Sequence, residues 1–129
     1  MLPLAIKWVA ITDGAEVGIL SGDPSVPGRP YTIRLRTSIE IRIPPHWQPE
    51  DEHLTVLEGA FSLGFGDVFE HHPLQPLAPG AYICIPRQVS HFSLYGAGTM
   101  VQVHGIGPFK SIYVNAAEGQ MGDRVPPSL

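Results

Sequence analysis

The stretch "PPHWQPEDEH", Pro44 to His53, gathers two imidazoles, a carboxamide and three carboxylates in one short run. Side chains of these types ligate divalent ions, move protons or hydrogen-bond a small molecule. Pro44, Pro45 and Pro49 bar an ordinary helix, because each lacks the N–H that a helical turn needs. Extended chain must therefore arrange the group, and on a strand residues two apart share a side. His46 and Gln48 then project together while Trp47 points away. Pro49-Glu50-Asp51 reads as a turn-like excursion, with Glu50 and Asp51 solvating it, after which Glu52 begins the next extended run. His46, Gln48 and Glu52 are expected to converge, and His53 to face the other side.

A metal centre would need a further ligand from elsewhere in the chain. His91, at the start of "HFSLY", is the leading candidate, and His104 in "VQVHGIG" is its alternative. His71 and His72 sit in a proline-flanked loop and read as exposed. Gln102 and His104 share one face of their run and Val101 and Val103 the other, and periodicity alone does not say which pair looks inward. If the polar pair does, His104 is a candidate catalytic acid or base and Gln102 a pocket donor. Tyr82 shares a face with Cys84, Tyr95 with His91 and Ser93, and Phe61 with Leu63 and Phe65. Tyr82, Phe61 and Tyr95 are the substrate-pocket candidates, since a small barrel uses such residues both to fill its core and to line a cavity.

The elements that must position these residues are strands. Fourteen glycines and fourteen prolines punctuate the chain, with short runs of Val, Ile, Thr, Tyr and Phe between them. That rhythm predicts an all-β sandwich or barrel. The clearest run is Tyr31 to Ile43, where Ile33, Leu35, Ile39, Ile41 and Ile43 alternate with polar residues and Thr37 is the break. Its arginines read as a solvated outer face. Leu2 to Ile11 and Val17 to Ser21 are further strands, and Pro44-Pro45 must sit at a bulge or a strand end. "HLTVLEGAFSLGFGD" reads as two strands joined by a hairpin turn at Glu58-Gly59. "EHHPLQPLAPG" reads as a loop, and "AYICIP", "SHFSLYG", "TMVQVHGIG" and "KSIYVN" as strands.

The whole chain bounds these readings. At 129 residues it is expected to form one domain, with N-terminal strands over 1–30, a core barrel over 31–115 and a weakly ordered tail over 116–129. A net charge of −4, with eight scattered Lys and Arg, argues against a nucleic-acid surface. No apolar stretch approaches the roughly 20 residues that span a bilayer, so no membrane partner is expected. No signal-peptide pattern opens the chain, and a cytoplasmic protein is expected. The lone Cys84 excludes an internal disulfide and a multi-cysteine zinc site, and in its apolar run it reads as a small core residue.

These residues resemble the two motifs of small single-domain bacterial cupins. His46, Gln48, Glu52 and Gly59 fall at the spacing of the first motif, H-x-H-x-x-x-E and a later glycine, with Gln48 in place of the second histidine and Glu40 in place of the opening glycine. Gly80, Pro86 and His91 fall at the spacing of the second, with Gln88 where it has an inner glycine and Tyr95 where it has asparagine. "PPHW", "EDEHLTVLEG" and "VQVHGIGPF" also look like a group of such cupins of mostly unassigned activity. The resemblance implies a double-stranded β-helix, or jelly-roll barrel, and a homodimer. It also implies a divalent ion (Mn, Fe, Ni or Zn) held by His46, position 48, Glu52 and His91, and a small organic substrate. Dioxygenase, isomerase, decarboxylase and lyase activities all occur within it.

Gln48 leaves three readings open. Its amide oxygen coordinates the ion, or it stands off and leaves two histidines and a carboxylate. In the third, the site has lost its metal and the same polar cluster binds a ligand by hydrogen bonds, as a binding or sensing module.

Overall fold

The alternating run around Ile33 does extend the chain, but as two strands that belong to different sheets. The computed structural model describes residues 1–71, 74–115 and 117; His72 and all but one residue of the expected tail lie outside them. After a short 3-10 turn at Pro3–Ala5 come β1 (Trp8–Thr12), β2 (Ala15–Ser21), β3 (Pro30–Thr37) and β4 (Ile41–Trp47). Then follow β5 (Glu52–Glu58), β6 (Phe61–Phe65), β7 (Gln75–Leu77), β8 (Tyr82–Ile85), β9 (His91–Tyr95), β10 (Met100–Ile106) and β11 (Ile112–Tyr113). One sheet has the order β1-β2-β3-β10-β5-β8 and the other β11-β4-β9-β6-β7, and every pairing is antiparallel. No helix among the described residues is long and apolar enough to cross a membrane.

Thr37 marks the crossing between sheets. Its hydroxyl donates to Gly96 O at 2.8 Å, and its backbone N–H bonds Thr99 O. The expected hairpin at Glu58-Gly59 is also a crossing: β5 pairs with β10 and β8, whereas β6 pairs with β7 and β9. Gly59 turns that corner with φ 82°, and a Cβ there would come within 2.6 Å of the Thr99 backbone. The loop expected after Phe69 contains β7, a short edge strand that accommodates Pro76.

Between the sheets lies an apolar core built from inward faces, including Ile33, Leu54, Val56, Phe61, Val101 and Val103. The parity question on β10 is settled by this packing: the two valines are fully buried, so Gln102 and His104 look outward. Gln102 Oε1 there accepts from Arg34 Nε at 3.0 Å. The outward face also takes Arg36, paired with Glu16 at 3.0 Å. Cys84 is a correction too: it is partly exposed, opposite His53 across the β5–β8 ladder, because its strand buries Ile85 instead.

Candidate functional site

The Pro44-Pro45 pair falls where the β4–β9 ladder shifts register, between Ile43 and His46. Prolines cannot donate ladder bonds, so a bulge is where they are tolerated, and a bulge re-aims the side chain that follows. The side chain re-aimed is His46. It stands directly opposite His91 on β9, the ring centroids 4.3 Å apart and inclined at 56°. Both imidazoles are buried, at 6% and 2% exposure.

Backbone carbonyls set both tautomers. His46 Nδ1 lies 2.8 Å from Pro44 O and His91 Nδ1 lies 3.0 Å from Val89 O. A carbonyl only accepts, so each Nδ1 carries the proton and each Nε2 keeps its lone pair. Burial drives the His46 pKa down to about 3, with a smaller push from His91, and burial lowers His91 as well. The pair is therefore neutral near physiological pH.

Glu52 enters from the opposite sheet. On β5 it shares the inward face with Leu54 and Val56, and it lines the same pocket as the two histidines. Its carboxyl makes no hydrogen bond to a described residue, and burial alone lifts its pKa to about 7. Tyr95, in the same pocket, has its phenol raised by burial and, to a lesser extent, by Glu52.

Gln48 is buried, at 3% exposure, but is no part of the pocket wall. Its Oε1 accepts the Lys110 backbone N–H at 2.8 Å, and its Nε2 donates to Ser111 Oγ at 3.1 Å. Its own backbone carbonyl accepts from Gln88 N–H at 2.8 Å, and Gln88 adopts φ 62° there, a left-handed conformation where the second cupin motif has its glycine. Position 48 thus ties β4 to the segment that leads into β11. That segment supplies Phe109, Ser111 and Tyr113 to the pocket, with the Tyr113 ring 5.5 Å from His46. None of these three was among the expected site residues. The alternation of Ser111 and Tyr113 with Lys110 and Ile112 marks a strand face, but nothing local places that strand beside His46.

The other expected residues divide between the two sides of the wall. Phe61 and Tyr95 line the cavity. His104, the proposed catalytic group, lies outside it, stacked on His53 with centroids 4.8 Å apart. Tyr82 is also on the outer face, 56% exposed, its hydroxyl 2.6 Å from His53 Nδ1. Gln102, His104 and Tyr82 are therefore separated from His46, Glu52 and His91 by the sheet itself. Asp51 accepts the Arg87 N–H at 2.8 Å, which closes the turn rather than covering the pocket.

Whether these residues suit a metal ion turns on the donor set. The histidine pair does, since each ring holds its Nδ1 proton on a backbone carbonyl and keeps the Nε2 lone pair for a ligand. The third and fourth positions do not: the Gln48 amide is committed to residues 110 and 111, and Glu52 stands off the pair. Among the described residues no three His, Cys, Asp or Glu side chains come close enough together to hold one ion.

The architecture is that of the cupins, a small jelly-roll barrel. It is similar to the polyketide cyclase RemF from Streptomyces resistomycificus, with TM-score 0.67 and 18% identity, over 99% of this chain and 94% of that one. It is similar to an RmlC-like cupin from Shewanella frigidimarina, with TM-score 0.66 and 14% identity over 81% and 86%. A cupin-superfamily sugar phosphate isomerase from Silicibacter pomeroyi aligns with TM-score 0.64 and 19% identity over 88% and 80%. At these identities the likeness carries the fold. No family model and no curated protein matches the sequence.

Proposed function

We propose that the chain binds a small organic molecule inside the barrel, at the end marked by His46, Glu52 and His91, without a resident metal ion. The observation that carries this is the commitment of Gln48 to Lys110 and Ser111, which leaves two histidines where a metal centre needs three or four ligands. Neutral imidazoles and a carboxyl that titrates near neutrality also suit general acid–base work on a bound molecule. Enzymes stand among its structural neighbours, including the cyclase and isomerase above.

A second reading has a specific observation behind it. The two Nδ1–carbonyl bonds orient both Nε2 atoms as they would be for an ion. In that reading His46, His91 and Glu52 hold a divalent Mn, Fe, Ni or Zn, and the protein is a dioxygenase, isomerase or lyase.

Metal content of the purified protein, by plasma mass spectrometry, separates the two. The metal-free reading expects little metal in the native chain and a gain in Gln48→His. Near-stoichiometric metal, lost in both His46→Ala and His91→Ala, would overturn it.

The chain is also proposed to act as a homodimer. In its sheet β1 is an edge strand, and it carries the exposed Val9. Light scattering on the purified protein tests this, and a monomer mass would refute it. The expectations of a cytoplasmic location and of no nucleic-acid partner rest on sequence alone.

A further inference from the structure

The outer face of the six-stranded sheet carries a second pair of histidines, which the barrel does not use. His53 on β5 stands directly opposite His104 on β10, with ring centroids 4.8 Å apart and planes within 11° of each other. Directly opposed residues of an antiparallel ladder hold their Cβ atoms roughly 4.5–5.5 Å apart, a spacing at which two imidazoles can reach one ion. Beyond His104 the row continues with Thr32, which is too short to block it.

The two rings are held differently. His53 Nδ1 lies 2.6 Å from the Tyr82 hydroxyl, so Nε2 is the nitrogen left for a ligand. A metal-bound histidine is oriented by such a partner on its other nitrogen. His104 is exposed and makes no hydrogen bond to a described residue. Its ring can therefore turn out of the stack without breaking a bond, and bring a nitrogen to an ion held by His53.

The surroundings favour a cation. Both rings open on a cleft of about 370 Å³, which Glu50 and Asp51 flank and no lysine or arginine lines. Asp51 Oδ1 is already engaged by the Arg87 N–H, and among the described residues no third His, Cys, Asp or Glu is close enough to complete a ligand set. Water completes it in an open cleft. His46 and His91 differ in this respect, because they are buried in an apolar-walled lumen where an ion would have to shed its water.

We infer that His53 and His104 form an exchangeable site on the outer face of the barrel for Cu(II), Ni(II) or Zn(II), with water in the remaining positions. Imidazole donors select these ions over Mg(II) and Ca(II), which take oxygen ligands, and Cu(II) stands first among them. An ion there clamps β5 to β10, neighbouring strands inside the sheet. It recognises a spacing that only the folded chain has, so it also raises the unfolding midpoint. The inference is independent of what the barrel holds.

The test uses the full chain, labelled with ¹⁵N-histidine, stripped with a chelator and titrated with zinc chloride. One equivalent is expected to move the ring-nitrogen resonances of His53 and His104 and to leave His46 and His91 in place. In calorimetry, cupric chloride is expected to bind more tightly than zinc, and magnesium chloride not to compete. His104→Asn and Tyr82→Phe are each expected to weaken zinc binding by about ten-fold or more, the first by removing a ligand and the second by releasing the His53 ring. No saturable shift, shifts confined to other histidines, unchanged affinity in either variant, or displacement of zinc by magnesium would overturn the inference. Zinc shifts at His46 and His91 that persist in His104→Asn would belong to the barrel, and would sink the metal-free reading without touching this one.

Discussion

Gln48 donates its amide hydrogen to Ser111 Oγ across 3.1 Å, joining β4 to a segment 63 residues further along the chain. The same amide takes the Lys110 N–H, so a position that the cupin motif gives to an inward-facing ligand here holds the wall of the pocket in place. Truncation would leave a backbone N–H in a part-buried site without its acceptor. Gln48→Ala is therefore expected to cost about 1–3 kcal/mol in urea unfolding, and to broaden the Tyr113 resonances as β11 loosens from His46. Unchanged stability would mean that the segment is held by its other contacts.

A second long-range device closes the opposite end of the barrel. Thr99, 1% exposed, accepts the Ala60 N–H at 3.1 Å through Oγ1, which also lies 2.9 Å from Ala60 O and 2.7 Å from Gly96 O. Valine matches threonine in shape and removes all of this. Thr99→Val is expected to destabilise by about 1–3 kcal/mol, with the far-ultraviolet circular dichroism of the native state preserved. A loss below about 0.5 kcal/mol would show that the corner is set by Gly59 and the backbone alone.

What could be seen in the sequence follows the range of each interaction. Strand periodicity is local, and it grouped His46 with Glu52, while the resemblance added His91 from further along the chain; all three line one cavity. The break at Thr37 was equally visible, but that it is a passage between sheets depends on Gly96 and Thr99, far along the chain. Parity could divide Gln102 and His104 from Val101 and Val103 without naming the inner pair, because that choice is made by the sheet packed across from them. Gln48 is the plainest case. That it should share a side with His46 is a matter of spacing, whereas its partners Lys110 and Ser111 enter only once β10 has crossed to β11.

The titrating groups in the pocket pull stability in opposite directions. Unfolded His46 takes a proton near pH 6.5 and folded His46 only near 3, so its contribution is complete above 6.5 and is lost as pH falls towards 3. His91 shifts in the same direction. Glu52 is the reverse: unfolded it loses its proton near 4.5 and folded near 7, so its contribution is complete below 4.5 and is lost as pH rises to 7. Unfolding free energy should climb between about pH 3 and 4.5, where His46 acts unopposed, and flatten between about 4.5 and 6.5. A urea series across that range checks the shape, and His46→Phe should lessen the initial climb. A climb of the same steepness in that variant would assign it to other groups.

Glu52 offers the sharpest separation of stability from function. Above pH 7 its carboxylate is ionised, buried and without a hydrogen bond from any described residue, a state that the folded protein tolerates at a cost. A neutral amide of the same length avoids the charge. Glu52→Gln is accordingly expected to be more stable than the native chain at about pH 8, by up to about 3 kcal/mol, and equal to it or slightly weaker at about pH 4, where the native carboxyl is already protonated. Such a gain at a pocket residue is the signature of a group kept for binding rather than for folding. The comparison needs only thermal or urea unfolding at the two pH values. A variant less stable than the native protein at both would place an unseen partner on the Glu52 carboxylate, and a bound cation would be the first to look for.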